Sequence, residues 1–94
     1  MTAFSQHQHF TPLIGKRFDF DGHPVALTLS RIETNPQSGL ARTPFTLLFQ
    51  GPAGDILPEG LYRAHAQGDA IGELYIMPIH TPRRDRQDYQ AVFN

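Results

Sequence analysis

From Phe18 onward, apolar side chains recur at every second residue in short runs, such as Phe45, Leu47 and Phe49. No connection between these runs is long enough to hold a helix. Together these two facts restrict the fold more than any other feature. Period-2 alternation sends successive side chains to opposite faces of an extended strand. Parallel neighbours need a crossover of about a dozen residues, and the connections here are roughly two to nine residues long. The sheet is therefore expected to be antiparallel.

The runs can be placed in order. Phe18 and Phe20 flank Asp19, and Asp21-Gly22 marks a hairpin whose loop His23-Pro24 is expected to lengthen. Val25, Leu27 and Leu29 alternate with polar neighbours, and the phase then slips to Ile32, which a β-bulge at Ser30-Arg31 explains. Asn35 to Thr43 reads as a loop. The strand from Phe45 to Phe49 ends at Gly51-Pro52, and Gly60 is expected to make a positive-φ turn before Leu61 to His65. Gln67-Gly68-Asp69 turns the chain into the long run Ile71 to Ile79. There Leu74 and Ile76 lie on one face and Tyr75, Met77 and Ile79 on the other. Pro78 marks an edge or a bulge. Tyr89, Ala91 and Phe93 form a last strand. Near the start, Phe10, Leu13 and Ile14 predict one helical turn laid over an open end of the fold, with Gly15 ending it.

The expected architecture is all-β, about six antiparallel strands in a small barrel or sandwich with a short N-terminal helical turn. Residues 1–94 form a single domain, with 1–9 as a flexible N-terminal segment. The expected core is Leu27, Leu29, Phe45, Leu47, Phe49, Leu61, Leu74, Ile76 and Phe93.

Composition narrows the chemistry. Cysteine is absent, which removes disulfides, thiolate nucleophiles and cysteine-based zinc sites. The net charge of −1 at pH 7 argues against a nucleic-acid partner, which needs a basic footprint. No apolar run suits a membrane-spanning helix. MTAFSQHQHF has no basic n-region followed by an apolar one, so the expected location is cytoplasmic.

No residue pattern specifies a reaction. Ser5, Ser30 and Ser38 lack a nucleophile elbow, and Gly51 to Gly54 lacks the Lys of a phosphate loop. His7 and His9 form an H-x-H pair in a polar segment. His23, expected to bond Asp21 locally, is a weak candidate with His65 and His80 for a three-histidine metal site. Arg83, Arg84 and Arg86 form the densest charge cluster, partly cancelled by Asp85 and Asp88. No cofactor is expected and no catalytic residue is assigned.

Several segments together resemble a bacterial family, the domain of unknown function 6916. They are Phe10-Thr11-Pro12-Leu13-Ile14-Gly15 with Phe18, Leu27-Thr28-Leu29, and Pro44-Phe45-Thr46-Leu47-Leu48-Phe49-Gln50-Gly51-Pro52. Leu57-Pro58-Glu59-Gly60-Leu61-Tyr62, Gly72 to Ile79 and Tyr89-Gln90-Ala91-Val92-Phe93-Asn94 complete the match. The resemblance implies a stand-alone domain with no established activity, in the company of tail-collar-like proteins of phage-tail-like assemblies. The run Thr81-Pro82-Arg83-Arg84-Asp85-Arg86 departs from the family's turn at that point.

The expected function is a non-enzymatic protein-protein interaction or structural accessory module. Its surface is Tyr75, Met77, Ile79, Arg83, Arg84 and Arg86, and its partner is a second copy of the chain or a tail-collar-like protein. The alternative is a small-ligand or metal-binding β-barrel that uses the histidines.

Overall fold

The computed structural model describes residues 7–34 and 44–93. Two 3-10 turns, His7–His9 and Thr11–Leu13, precede the strands. The strands are β1 (Arg17–Phe20), β2 (His23–Thr34), β3 (Phe45–Gly51), β4 (Gly60–Ala66), β5 (Asp69–Ile79) and β6 (Gln87–Phe93). All neighbours are antiparallel. They close into a barrel in the order β1-β2-β3-β6-β5-β4. Of barrel and sandwich, the fold is the barrel. Closure pairs strands that would otherwise end a sheet with exposed backbone.

The two longest strands make the corners. β2 pairs with β1 from His23 to Thr28 and with β3 from Thr28 to Thr34. The register shifts between Leu29 and Arg31, so Ser30 is the extra residue of a bulge. That bulge returns Ile32 to the inner face opposite Leu47, as the phase slip in the sequence requires. β5 is shared in the same way. Asp69 to Ile76 pair with β4, and only Met77, Pro78 and Ile79 pair with β6. Pro78 lies inside the strand, beyond the last β4 pair, so one of its sides needs no ladder hydrogen bond.

Two turn expectations change, and a third turn is found where expected. Phe20 pairs directly with His23, so the β1–β2 turn is the tight two-residue Asp21-Gly22, with Gly22 at φ 83°. His23-Pro24 do not lengthen it, because Pro24 sits early in β2. Gly60 is absent from the positive-φ residues. A Cβ there would meet the Tyr62 ring at 3.5 Å, an ordinary contact, so neither backbone nor space requires glycine at this position. The β4–β5 turn has Gln67 at φ 57° and Gly68 at φ 83°, the doubly left-handed geometry of a type I′ hairpin. The expected loop Asn35 to Thr43, with Ser38, lies outside the described residues.

The core is one cluster of inward residues: Phe18, Phe20, Leu27, Leu29, Phe45, Leu47, Phe49, Leu74 and Ile76, with Phe10, Leu57, Ala64, Ala66, Tyr89 and Ala91. Full burial of each Phe or Leu contributes about 1.5–3 kcal/mol. Leu61, expected inside, is 61% exposed. Across the barrel wall, Phe18 pairs with Ala66 and Phe20 with Ala64. The two rings need small neighbours, which sets the phase of β4 with Tyr62, Ala64 and Ala66 inward. Leu61 must then point out. Phe93 is only partly buried, and Tyr89 and Ala91 carry the inward face of β6.

The N-terminal segment closes one end. Phe10 is fully buried, with ring centroids 6.0 Å from Phe45 and 5.6 Å from Phe93. Phe45 and Phe93 stack at 4.6 Å with planes 7° apart. The expected cap is there, but as two 3-10 turns rather than one helical turn, and Ile14 is exposed. Of the segment expected to be flexible, His7–His9 form the first turn, with the His7 ring edge-on to Phe45 at 5.9 Å. Residues 1–6 lie outside the described residues. At the other end Leu57 drops from its loop into the core, and its N–H donates to the buried Tyr89 hydroxyl at 2.9 Å.

Candidate interaction surface on the barrel wall

The strand phase that fills the core also dictates what faces outward. On β5 the outward set is Glu73, Tyr75, Met77 and Ile79, because Leu74 and Ile76 point inward. Leu61 on β4 stands directly opposite Tyr75. Met77 stands opposite Gln90 of β6, Gln90 opposite Leu48 of β3, and Leu48 opposite Arg31 of β2. One outward row therefore runs across four strands. The Gln90 amide donates to the Met77 sulfur at 3.7 Å. Val92 lies two residues further along β6 on the same face, and is 49% exposed. Tyr75 is 48% exposed, and its hydroxyl donates to the Glu59 carboxylate. Glu59, as acceptor and as a negative charge, holds the Tyr75 phenol above its ordinary value.

Beside this row lies a cleft of about 130 Å³ bordered by Ser30, Arg31, Gln50, Ile79 and Arg86. It exists because the bulged Ser30 leaves the ladder, and Gln50 bridges to its hydroxyl at 3.3 Å. The loop after β5 forms one wall and is pinned at both ends. Thr81 accepts from the Asp88 N–H at 2.8 Å, and Gln87 donates to the Ile79 carbonyl at 2.8 Å.

The arginines of that loop are not a bare positive patch. Arg83 donates two hydrogen bonds to Asp85, at 2.9 and 2.8 Å. The Arg83 guanidinium holds the Asp85 carboxyl below its ordinary range. Arg86 is paired with Asp88 at 2.7 Å. Arg84 is exposed and has no partner among the described residues. The loop therefore presents one uncompensated cation, as its Asp85 and Asp88 foretold.

The histidines are dispersed over different contacts. His65, outward on β4, pairs with Asp21 at 2.8 Å. His23 does not bond Asp21; its ring stands edge-on to Tyr62 at 5.1 Å. The tight β1–β2 turn aims Asp21 at β4 instead, where its N–H also donates to the Arg63 carbonyl at 3.0 Å. His80 is exposed just after β5. Among the described residues, no three His, Asp or Glu side chains are grouped to hold a metal ion. Asp19 is exposed and pairs with Arg17 at 3.1 Å.

Sequence reasoning placed Tyr75, Met77 and Ile79 on the outer face correctly. It missed Leu61 and Val92, whose outward position depends on the phase of β4 and β6. The signal was available in Ala64 and Ala66, whose small size marks the positions facing the two Phe rings. No helix among the described residues is long and apolar enough to cross a membrane.

No curated protein and no solved structure matches the chain. A family model does. The segments that build this barrel, from the Phe10 cap to the β6 strand, fall within residues 5–93, which match the model described as domain of unknown function (DUF6916), and the chain belongs to that family.

Proposed function

We propose that the protein is a non-enzymatic interaction or structural accessory module that engages another protein through the outer wall around Tyr75. The observation that carries this reading is the apolar exposure gathered there. Leu61, Tyr75 and Val92 are among the large apolar residues left exposed, and Leu61 and Tyr75 are cross-strand neighbours. Grouped exposed apolar side chains are a feature of binding surfaces. A well-packed interior supports the same reading, since the barrel lumen is taken up by Phe, Leu and Ile side chains rather than polar groups. Glu59, which accepts from the Tyr75 hydroxyl, supplies a polar group at the edge of the patch, as interface rims carry.

Proteins of phage-tail-like assemblies, tail-collar-like ones included, are the partner class that the family resemblance offers. Affinity capture from the native host with the wild-type chain and with Leu61→Asp tests the reading. A protein held by the wild type and lost with the variant, at an unchanged melting temperature, supports it. Equal capture by both chains overturns it.

A further inference from the structure

We infer that the cleft bordered by Ser30, Arg31, Gln50 and Arg86 binds a small organic carboxylate, held by the two guanidiniums beside the apolar side chains of Leu48 and Ile79. The observation is a convergence of hydrogen-bond donors from distant parts of the chain. Arg31 follows the bulge in β2 and Arg86 ends the loop before β6, yet both border the same opening of about 130 Å³. Bulges re-aim side chains and recur beside functional sites. Here the bulged Ser30 interrupts the ladder, and Arg31 is brought opposite Leu48. The site goes beyond the proposed interaction surface, since neither Leu61 nor Tyr75 borders it.

The donors outnumber their partners. A guanidinium carries five N–H donors. Arg31 gives one to Glu33 at 2.8 Å, and Arg86 gives two to Asp88, at 2.7 and 3.3 Å. The Ser30 hydroxyl accepts from Gln50 at 3.3 Å, which leaves its own O–H to donate. The two carboxylates orient the guanidiniums without using them up. Arg86 is also sheltered: its side chain is 31% exposed, against 56% for Arg83, which pairs with Asp85 in the same way on the same loop. A charge partly withdrawn from water acts on a ligand with less screening.

Charge and shape choose the ligand. The charged groups that border the cleft are Arg31, Arg86 and Asp88, a surplus of one positive charge. That surplus suits a monoanion better than a dianionic phosphate. A carboxylate also matches the planar fork of a guanidinium, which can give it two parallel hydrogen bonds. Leu48 and Ile79 are half-buried and apolar, so they favour a hydrocarbon stem over a bare inorganic ion. The opening is smaller than the roughly 300–1,000 Å³ of pockets for drug-sized ligands, so the stem is short.

Butyrate is the probe, with butyramide as its uncharged counterpart and inorganic phosphate as the bare anion. The readout is the backbone amide and arginine Nε–H signals of the whole chain, in nuclear magnetic resonance titrations at constant ionic strength. Butyrate is expected to shift Ser30, Arg31, Gln50 and Arg86 saturably, with half-saturation at about 1–10 mM. It should bind about tenfold more tightly than butyramide or phosphate, and Arg31→Gln and Arg86→Gln should each weaken it by about tenfold. Arg17→Gln removes an arginine that pairs with Asp19 away from the cleft, and should leave binding unchanged. Unshifted signals elsewhere in the spectrum show that each variant is folded. No saturable shift by about 50 mM, butyramide or phosphate binding as tightly as butyrate, or the same loss in all three arginine variants overturns the inference.

Discussion

Gly51 ends β3 where two large core side chains converge. A Cβ at that position would lie 2.6 Å from Leu27 Cδ2 and 3.2 Å from Tyr89 Cε1. The first distance is shorter than Cβ contacts allow, so Gly51→Ala forces Leu27 to move. Leu27 is buried, packed within the same cluster as Leu29, Phe49 and Tyr89. Its displacement must be passed on to neighbours in a close-packed interior. Overpacking of this kind costs about 1–3 kcal/mol. For a domain of this size each kcal/mol lowers the melting temperature by about 4–8 °C. Gly51→Ala is thus expected to melt well below the wild type in a thermal scan followed by circular dichroism. Backbone strain is not the cause, because Gly51 is absent from the positive-φ residues. Gly54→Ala, with nothing within 4 Å of its Cβ, is the control and should be close to neutral. The double variant Gly51→Ala with Leu27→Val should be less destabilised than the two single changes added together, because the second makes room for the first. If Gly51→Ala melts with the wild type, or if the two changes simply add, the steric argument is wrong.

Four further outcomes are expected. Phe10→Ala removes the ring that covers Phe45 and Phe93 and should cost about 3–5 kcal/mol in urea unfolding. Tyr89→Phe leaves the Leu57 N–H without its acceptor and should cost about 1–3 kcal/mol, also measured by urea unfolding. Gln67→Asn relieves a left-handed residue in the β4–β5 turn and should stabilise by up to about 1 kcal/mol, read as a higher unfolding midpoint. In an ultraviolet titration Tyr75 ionises above the ordinary value near 10, chiefly because its hydroxyl bonds Glu59. The folded value lies above the unfolded one, so this contribution is complete below pH 10 and declines as pH rises through the folded value. Tyr75→Phe should remove that late-titrating band and flatten the alkaline loss of stability.

Much of the barrel could be read from alternation. The inward set of β2, β3 and β5 follows from apolar side chains at every second residue, and the bulge at Ser30 from a single slip in that spacing. β4 could not be read this way. Leu61 is the largest aliphatic residue in its run, yet Phe18 and Phe20 on β1 demand small partners and push it outward. The same non-local reason hid the buried role of Leu57, which depends on a hydroxyl 32 residues further along the chain. At the candidate surface, Tyr75, Met77 and Ile79 were legible because β5 alternates. Leu61 and Val92 were not, because their neighbours come from other strands.

The sequence by itself determined the antiparallel all-β class, through connections too short for crossovers. It also determined most turns and the lack of any thiol chemistry. The tertiary structure alone decided that the sheet closes into a barrel rather than a sandwich. It also decided that the histidines join no three-ligand metal group among the described residues and that β6 meets β5 only at Met77, Pro78 and Ile79. Alternation is a property of one strand and is written locally. Closure and the phase between strands are properties of pairs, and they depend on which side chains fit opposite one another.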